Sequence, residues 1–411
     1  MRNQKKLSLI LALLLLLLSA ATLCGCSDGL GSATKTLYVY NWGEYISDGS
    51  EGTLDSNEAF EEWYYETYGE RVIVNYSTYS SNEDMYAKLS GGAVSYDVIV
   101  PSDYMIQRLI EEDMLAPLDF DNIPNVANIL PEFYGEDAEY DYYDKGSLYS
   151  VPYFYGMIGI IYNTTMVDEE DVGSWDLMWN EKYKGNILQF NNSRDAFGTA
   201  QYYLGIDVNT DDVAEWRAAL ELLKSQKDIV QGYVMDEIFN KMENGSAAIA
   251  AYYAGDYLTM YENNSDLEFF YPEEGTNLYV DAMCIPKTSE NKLIAERYIN
   301  FMLTEEPAIA NAEYTYYASP NRVVVESEEY RSYMSEIKED AYEKMYADNV
   351  RATYYENLTT EKLALINELW EELKSDIDVS PTIILICVVI VGALAGMAAF
   401  FGIRKRYRNN Y

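Results

Sequence analysis

"YDVIVPS", residues 96–102, carries Val98, Ile99 and Val100 without a polar break and stops at Pro101. A short apolar run of this kind reads as a strand of a parallel sheet that is covered on both faces. The flanking sequence repeats the theme. Upstream, Leu37–Tyr40 reads as a strand, and Asp55 with Glu58 resembles a capping box. Phe60, Trp63, Tyr64 and Thr67 then fall on one helical face before Gly69 stops the helix. Arg71–Tyr76 reads as a strand, and Ser81 is placed to cap a helix over Asn82–Leu89. Downstream, "GMIGIIYN" (156–163), "AAIAAYY" (247–253) and "YVDAMCIP" (279–286) read as strands. Val213–Leu223 has helical signals, and the helix Lys292–Leu303 places Ala295, Tyr298, Ile299 and Met302 on one side. Strands alternating with helices imply an α/β sheet. At this length two lobes are expected, with a ligand in the crevice where strand ends meet.

The two ends of the chain have other roles. Arg2, Lys5 and Lys6 precede an apolar stretch from Leu7 to about Ala21, the pattern of a secretory signal. That stretch runs into Leu23-Cys24-Gly25-Cys26, which looks like a bacterial lipobox with Cys26 as the acylated residue. Residues 1–25 are thus expected to be the signal peptide, and 26–36, rich in Gly and Ser, a linker. At the other end Ile383–Ile403 is an uncharged run of 21 residues followed by Arg404, Lys405, Arg406 and Arg408. This reads as a transmembrane helix (383–403) with a cytoplasmic basic tail (404–411). The expected location is therefore the cell membrane, with the binding domain on its extracytoplasmic face.

Composition narrows the function. The chain has 29 basic and 68 acidic residues, net −39, and every acid lies between the two terminal segments. Nucleic acid is excluded as a partner, since its phosphates need basic surface. There is no histidine, which removes Ser-His-Asp and Cys-His nucleophile pairs and the usual zinc sites. Of four cysteines, only Cys284 lies in the exported part beyond the lipobox, so no disulfide can form within it. No metal, cofactor or enzymatic activity is implied. A hydrolase built on an Asp/Glu pair remains open as a distant alternative.

What remains is a set of acids next to aromatic rings. Trp42, Glu44 and Tyr45 follow the first strand at once, and an ordinary strand-to-helix loop needs none of them. Taken alone, Glu44 reads as a helix N-terminal charge. Asp281, an acid inside an apolar strand, wants a partner.

The order and spacing of "LYVYNWGEYI", "YSTYSSNEDMYAKL", "YDVIVPSDYMIQRLIEEDML", "SWDLMWNEKYKGNI", "YVDAMCIP", "INFML" and "YYASPN" resemble those of the spermidine/putrescine-binding components of polyamine ABC importers. The resemblance runs from about Leu37 to Lys374. It implies a two-lobed fold like that of periplasmic binding proteins, with a hinge. Lobe 1 would comprise 37–150 and 282–345, and lobe 2 151–281 and 346–376. The pocket it implies takes Trp42, Glu44, Tyr45, Ser102 and Tyr104 from the first lobe. Asp195, Tyr253 and Asp256 come from the second, with Tyr279, Asp281 and Tyr317 completing it. Gly43 stands where the family often has Thr or Ser. Asn192 is neutral where the spermidine-binding branch has an acid, Asp256 matches the putrescine-binding branch, and Glu356 aligns loosely with a glutamine. The implied partners are a polyamine ligand, ABC permease subunits and the membrane. Two alternatives stay open: the same fold holding another small cation or solute, and a polyamine sensor without transport. Each buried ammonium of a polyamine needs carboxylate or hydroxyl acceptors, while rings cover its methylenes.

Overall fold

The computed structural model describes residues 34–375, apart from 93, 136 and 137. The expectations for the signal segment, Cys26, the 383–403 run and the basic tail lie outside the described residues. Among the described residues no helix is long and apolar enough to cross a membrane.

The chain divides into two compact units. One takes in the chain up to Asn192 together with Ile229–Asn357; the other is Ser193–Asp228 with the chain from Leu358. The first unit carries all the described strands: β1 (Lys35–Trp42), β2 (Val72–Tyr79), β3 (Val98–Ile99), β4 (Ser150–Asn163), β5 (Ile187–Phe190), β6 (Val230–Val234), β7 (Ile249–Tyr253), β8 (Leu267–Phe270), β9 (Thr276–Cys284) and β10 (Ala352–Thr353). They form one sheet in the order β2-β1-β3-β9-β4-β7-β5-β6, with β8 on β4 and β10 on β9.

β4 and β9 carry the sheet from one half to the other. The first half of β4 runs antiparallel to β9, from Ser150 opposite Cys284 to Met157 opposite Leu278. Its second half pairs instead with β7 and β8. β9 reaches β3 at Cys284 and β10 at Thr276 and Asn277. The lobe boundaries expected near residues 150 and 281 both fall on these two strands.

Local chemistry explains the elements around them. Asp55 accepts from the N–H groups of Asn57 and Glu58 and so starts the helix Ser56–Tyr68. Its buried stripe is narrower than the spacing suggests: Phe60 and Tyr64 are buried, Trp63 is half-buried, and Thr67 is in solvent on the last turn. Ser81 accepts from Asp84 N–H at the start of the helix Asn82–Ser90. β3 is only two residues long, shorter than "VIV" suggests. The Val100 carbonyl accepts from Trp42 Nε1 (2.9 Å) and Tyr79 Oη (2.6 Å), so it is turned to side chains instead of a neighbouring strand. Cys284 is fully buried on β9, and burial pushes its thiol well up.

The second unit is built on the helices Ser193–Leu204, Val213–Gln226 and Thr360–Ser375. Trp216 and Phe197 pack edge-on at 5.6 Å, and Lys224 pairs with Glu372 at 2.6 Å.

Candidate functional site

Tyr279 and Asp281 are two residues apart on β9 and therefore project from the same face of the strand. Both are buried. Opposite Tyr279 stands Gly156, and a Cβ there would lie 2.6 Å from Tyr279 Oη. Only glycine leaves room for this ring. Opposite Asp281 the β4 register shifts between Pro152 and Phe154, a bulge. Consecutive residues Tyr153 and Phe154 can then both reach one ring, that of Tyr45, at 5.8 and 5.3 Å.

Tyr45 arrives from the loop after β1. Glu44 takes a left-handed backbone (φ 50°), a conformation unusual for a residue with a Cβ. Glu44 stays exposed while Tyr45 is buried. Glu44 thus lies in a turn and is not the helix N-terminal charge of the simplest reading. Tyr45 Oη donates to Asp281 Oδ2 at 2.6 Å, and Tyr153 Oη donates to the Tyr45 carbonyl at 3.2 Å. The Tyr45 phenol is held well above its ordinary range by burial and by the Asp281 charge, so it keeps the proton it donates to Asp281.

Tyr317 packs edge-on against Tyr45 at 4.8 Å and lies 6.5 Å from Tyr279. Its ring covers Gly255, where a Cβ would fall 2.3 Å from Tyr317 Cδ2. Asp256 follows on the first turn of the helix Ala254–Asn263 and is buried. A helix N-terminus favours an anion, yet the Asp256 carboxyl is pushed up to about 8. Burial is the main cause, a hydrogen bond with Tyr317 opposes it, and the charges of Asp236 and Glu44 add to it. Tyr253, at the end of β7, closes the ring set edge-on to Tyr279 at 5.5 Å. The result is two buried carboxyls among tyrosines.

Of the other expected residues, Ser102 is bonded to the cluster directly. Ser102 forms a β-bridge with Asp281 and accepts from Asn82 Nδ2 at 3.0 Å. Tyr104 is joined through the same Asn82 (3.1 Å) and donates to Glu83 at 3.0 Å. Trp42 lies against Tyr79 (4.6 Å) with its indole N–H on Val100. Asn192 Nδ2 is 3.5 Å from Tyr253 Oη, and Glu356 is exposed. Asp195 belongs to the second unit, on the first turn of its helix Ser193–Leu204.

Sequence reasoning missed Asp236 and Asp103. Asp236 precedes the helix Glu237–Glu243 but makes no side-chain cap bond; its Oδ2 lies 3.3 Å from where a Cβ on Gly43 would be. With Glu44, Asp236 lines an open cavity of about 720 Å³ that Tyr45 also touches. Six carboxylates and no lysine or arginine line it. Three of them are engaged locally: Asp55 caps its helix, Glu61 accepts from Val74 N–H and Asp48 from Ser50 N–H. The proline inside the β4 run, Pro152, is a signal that could have disclosed the bulge. Among the described residues no cluster of side chains could hold a metal ion.

Residues 58–336 match the model of the bacterial extracellular solute-binding proteins. The chain belongs to this family. Family membership makes it a solute-binding protein and not an enzyme. Its relatives include the spermidine/putrescine-binding periplasmic protein of Salmonella typhimurium, 31% identical over 88% of this chain and 97% of that one. The putrescine-binding periplasmic protein PotF of Escherichia coli is 28% identical over 78% and 85%. Among solved structures, the spermidine/putrescine ABC transporter substrate-binding protein PotD of Streptococcus pneumoniae is 32% identical, with TM-score 0.64 over 83% of this chain and 99% of that one. The fold is that of the periplasmic binding proteins, as expected. This solute-binding protein thus presents its acids and rings on a scaffold shared with those relatives.

Proposed function

We propose that this protein captures polyamines outside the cytoplasm and delivers them to an ABC permease. The observation that carries the reading is the bond from Tyr45 to buried Asp281, ringed by Tyr279, Tyr317 and Tyr253, with a second buried acid at Asp256. An isolated buried carboxylate is costly, and an elongated polycation is the ligand that would neutralise two at once. Asp281 and Asp256 would each hold an ammonium, with tyrosine faces over the methylenes between them. Charge-assisted hydrogen bonds contribute about 1.5–3 kcal/mol each.

Glu44 and Asp236 would guide the cation in, because a cleft lined by one sign of charge raises the local concentration of its counter-ion. The relatives named for spermidine and putrescine support the same ligand class. In this reading lobes 37–150/282–345 and 151–281/346–376 close by bending β4 and β9. Trp42, Ser102 and Tyr104 come from the first lobe and Asp195 from the second. A lipid on Cys26 and the 383–403 span would tether the protein to the membrane. The test is a thermal-shift panel, since a ligand that binds only the native state raises its melting temperature. Putrescine and spermidine should stabilise the protein. A response to amino acids or sugars alone would end the polyamine reading.

A further inference from the structure

Asp103 is 1% exposed, the first residue of the helix Asp103–Glu111, between Ser102 and Tyr104. A carboxylate there ordinarily faces water and favours the helix dipole. This one is turned away from water into the protein. On the β3 side of β9, Ala282 N–H donates to the Pro101 carbonyl at 3.1 Å. Two residues earlier the next N–H on that edge is Val280, but the chain has already turned into its helix and offers no strand carbonyl. Asp103 Oδ2 takes this N–H at 3.2 Å. The same oxygen accepts from Tyr142 Oη, while Oδ1 accepts from Tyr104 N–H at 2.6 Å. The Tyr142 ring stacks on Tyr354 at 3.7 Å, just after β10, which pairs with the far end of β9.

We propose that Asp103 is a positioning residue of the pocket: its carboxylate stands in for the missing strand carbonyl and fixes β9 at Val280, between Tyr279 and Asp281. Aiming those two side chains is its role; it does not itself touch solute. The proposal rests on the preceding section only in taking Tyr279 and Asp281 as pocket walls. The titratable groups around Asp103 are Asp281 on β9, Tyr142 and Tyr143 ahead of β4, and Tyr104 on its own helix. Burial pushes the Asp103 carboxyl up to about 7, with the Tyr142 bond and the backbone N–H groups opposing and the Asp281 charge adding.

Three variants test this. In Asp103→Ala, hydrogen exchange at the Val280 amide should speed up at least about tenfold, and the spermidine Kd should weaken by about as much. Asp103→Asn keeps one carbonyl acceptor and should recover part of both. Tyr142→Phe leaves Asp103 in place and removes one donor. Its expected effect is a higher titration midpoint for the Asp103 carboxyl, read from its ¹³C shift without any ligand. Tyrosine in a purely space-filling role would leave that midpoint alone. Unchanged Val280 exchange in a folded Asp103→Ala, or an unmoved midpoint in Tyr142→Phe, overturns the proposal. If the wild-type protein binds no spermidine, the polyamine reading fails, while the exchange and the midpoint still decide the role of Asp103.

Discussion

Asp281→Asn separates a ligand-holding carboxylate from a structural one. In the free protein Asp281 is 4% exposed, adds to the rise of the Asp103 carboxyl to about 7, and adds to the rise that burial gives the phenols of Tyr45 and Tyr279. Asparagine keeps an acceptor for Tyr45 Oη and removes a charge that has like charge nearby. The free variant should therefore melt at the wild-type temperature or above it. Binding should behave in the opposite way. Truncating one partner of a buried, hydrogen-bonded charge pair costs about 2–5 kcal/mol. With one acceptor retained the loss should be near 3 kcal/mol, about a hundredfold in Kd. Isothermal titration with spermidine gives the second quantity and differential scanning calorimetry the first. A Kd within about threefold of wild type would refute the reasoning, as would a large drop in melting temperature with affinity preserved.

Three further outcomes follow from the same geometry. Asp256, held near 8 when free, should lose a proton as an ammonium arrives, so affinity should climb from about pH 6 to 8 with protons released in calorimetry. The ligand-free stability should run the other way, full below the unfolded pKa and lost as pH rises through about 8; Asp256→Asn should flatten both slopes. Gly156→Ala would put a methyl 2.6 Å from Tyr279 Oη and should displace that ring, costing about 1–3 kcal/mol of stability and weakening binding together. Asp236→Asn, at an exposed position, should leave melting unchanged and lower the association rate and its salt dependence, read by stopped flow.

The sequence made part of this legible for identifiable reasons. The caps at Asp55 and Ser81, the i, i+2 pair Tyr279/Asp281 and the apolar strands are local patterns, and the structure keeps them. What is not local was hidden. Tyr45 and Asp281 are 236 residues apart, and no periodicity links them. Asp103 and Asp236 each begin a helix, where an acid is the commonest residue to find, so neither stands out in the sequence. The left-handed residue of the turn after β1 is Glu44 and not the adjacent Gly43, so the glycine does not mark it. Thr67, counted with a buried face, is in solvent because it lies on the last turn of its helix. Asp195 was placed by resemblance alone, and its role stays with the proposed function.

The most direct measurement is calorimetric titration of the purified protein with spermidine and putrescine, beside neutral amino acids and sugars, at two buffer ionisation enthalpies. Saturable one-to-one binding of the amines, with protons released near neutral pH and no heat from the neutral solutes, is the result expected of two buried carboxyls within a ring of tyrosines. Saturable binding of an amino acid or sugar, with none of either amine, would contradict it.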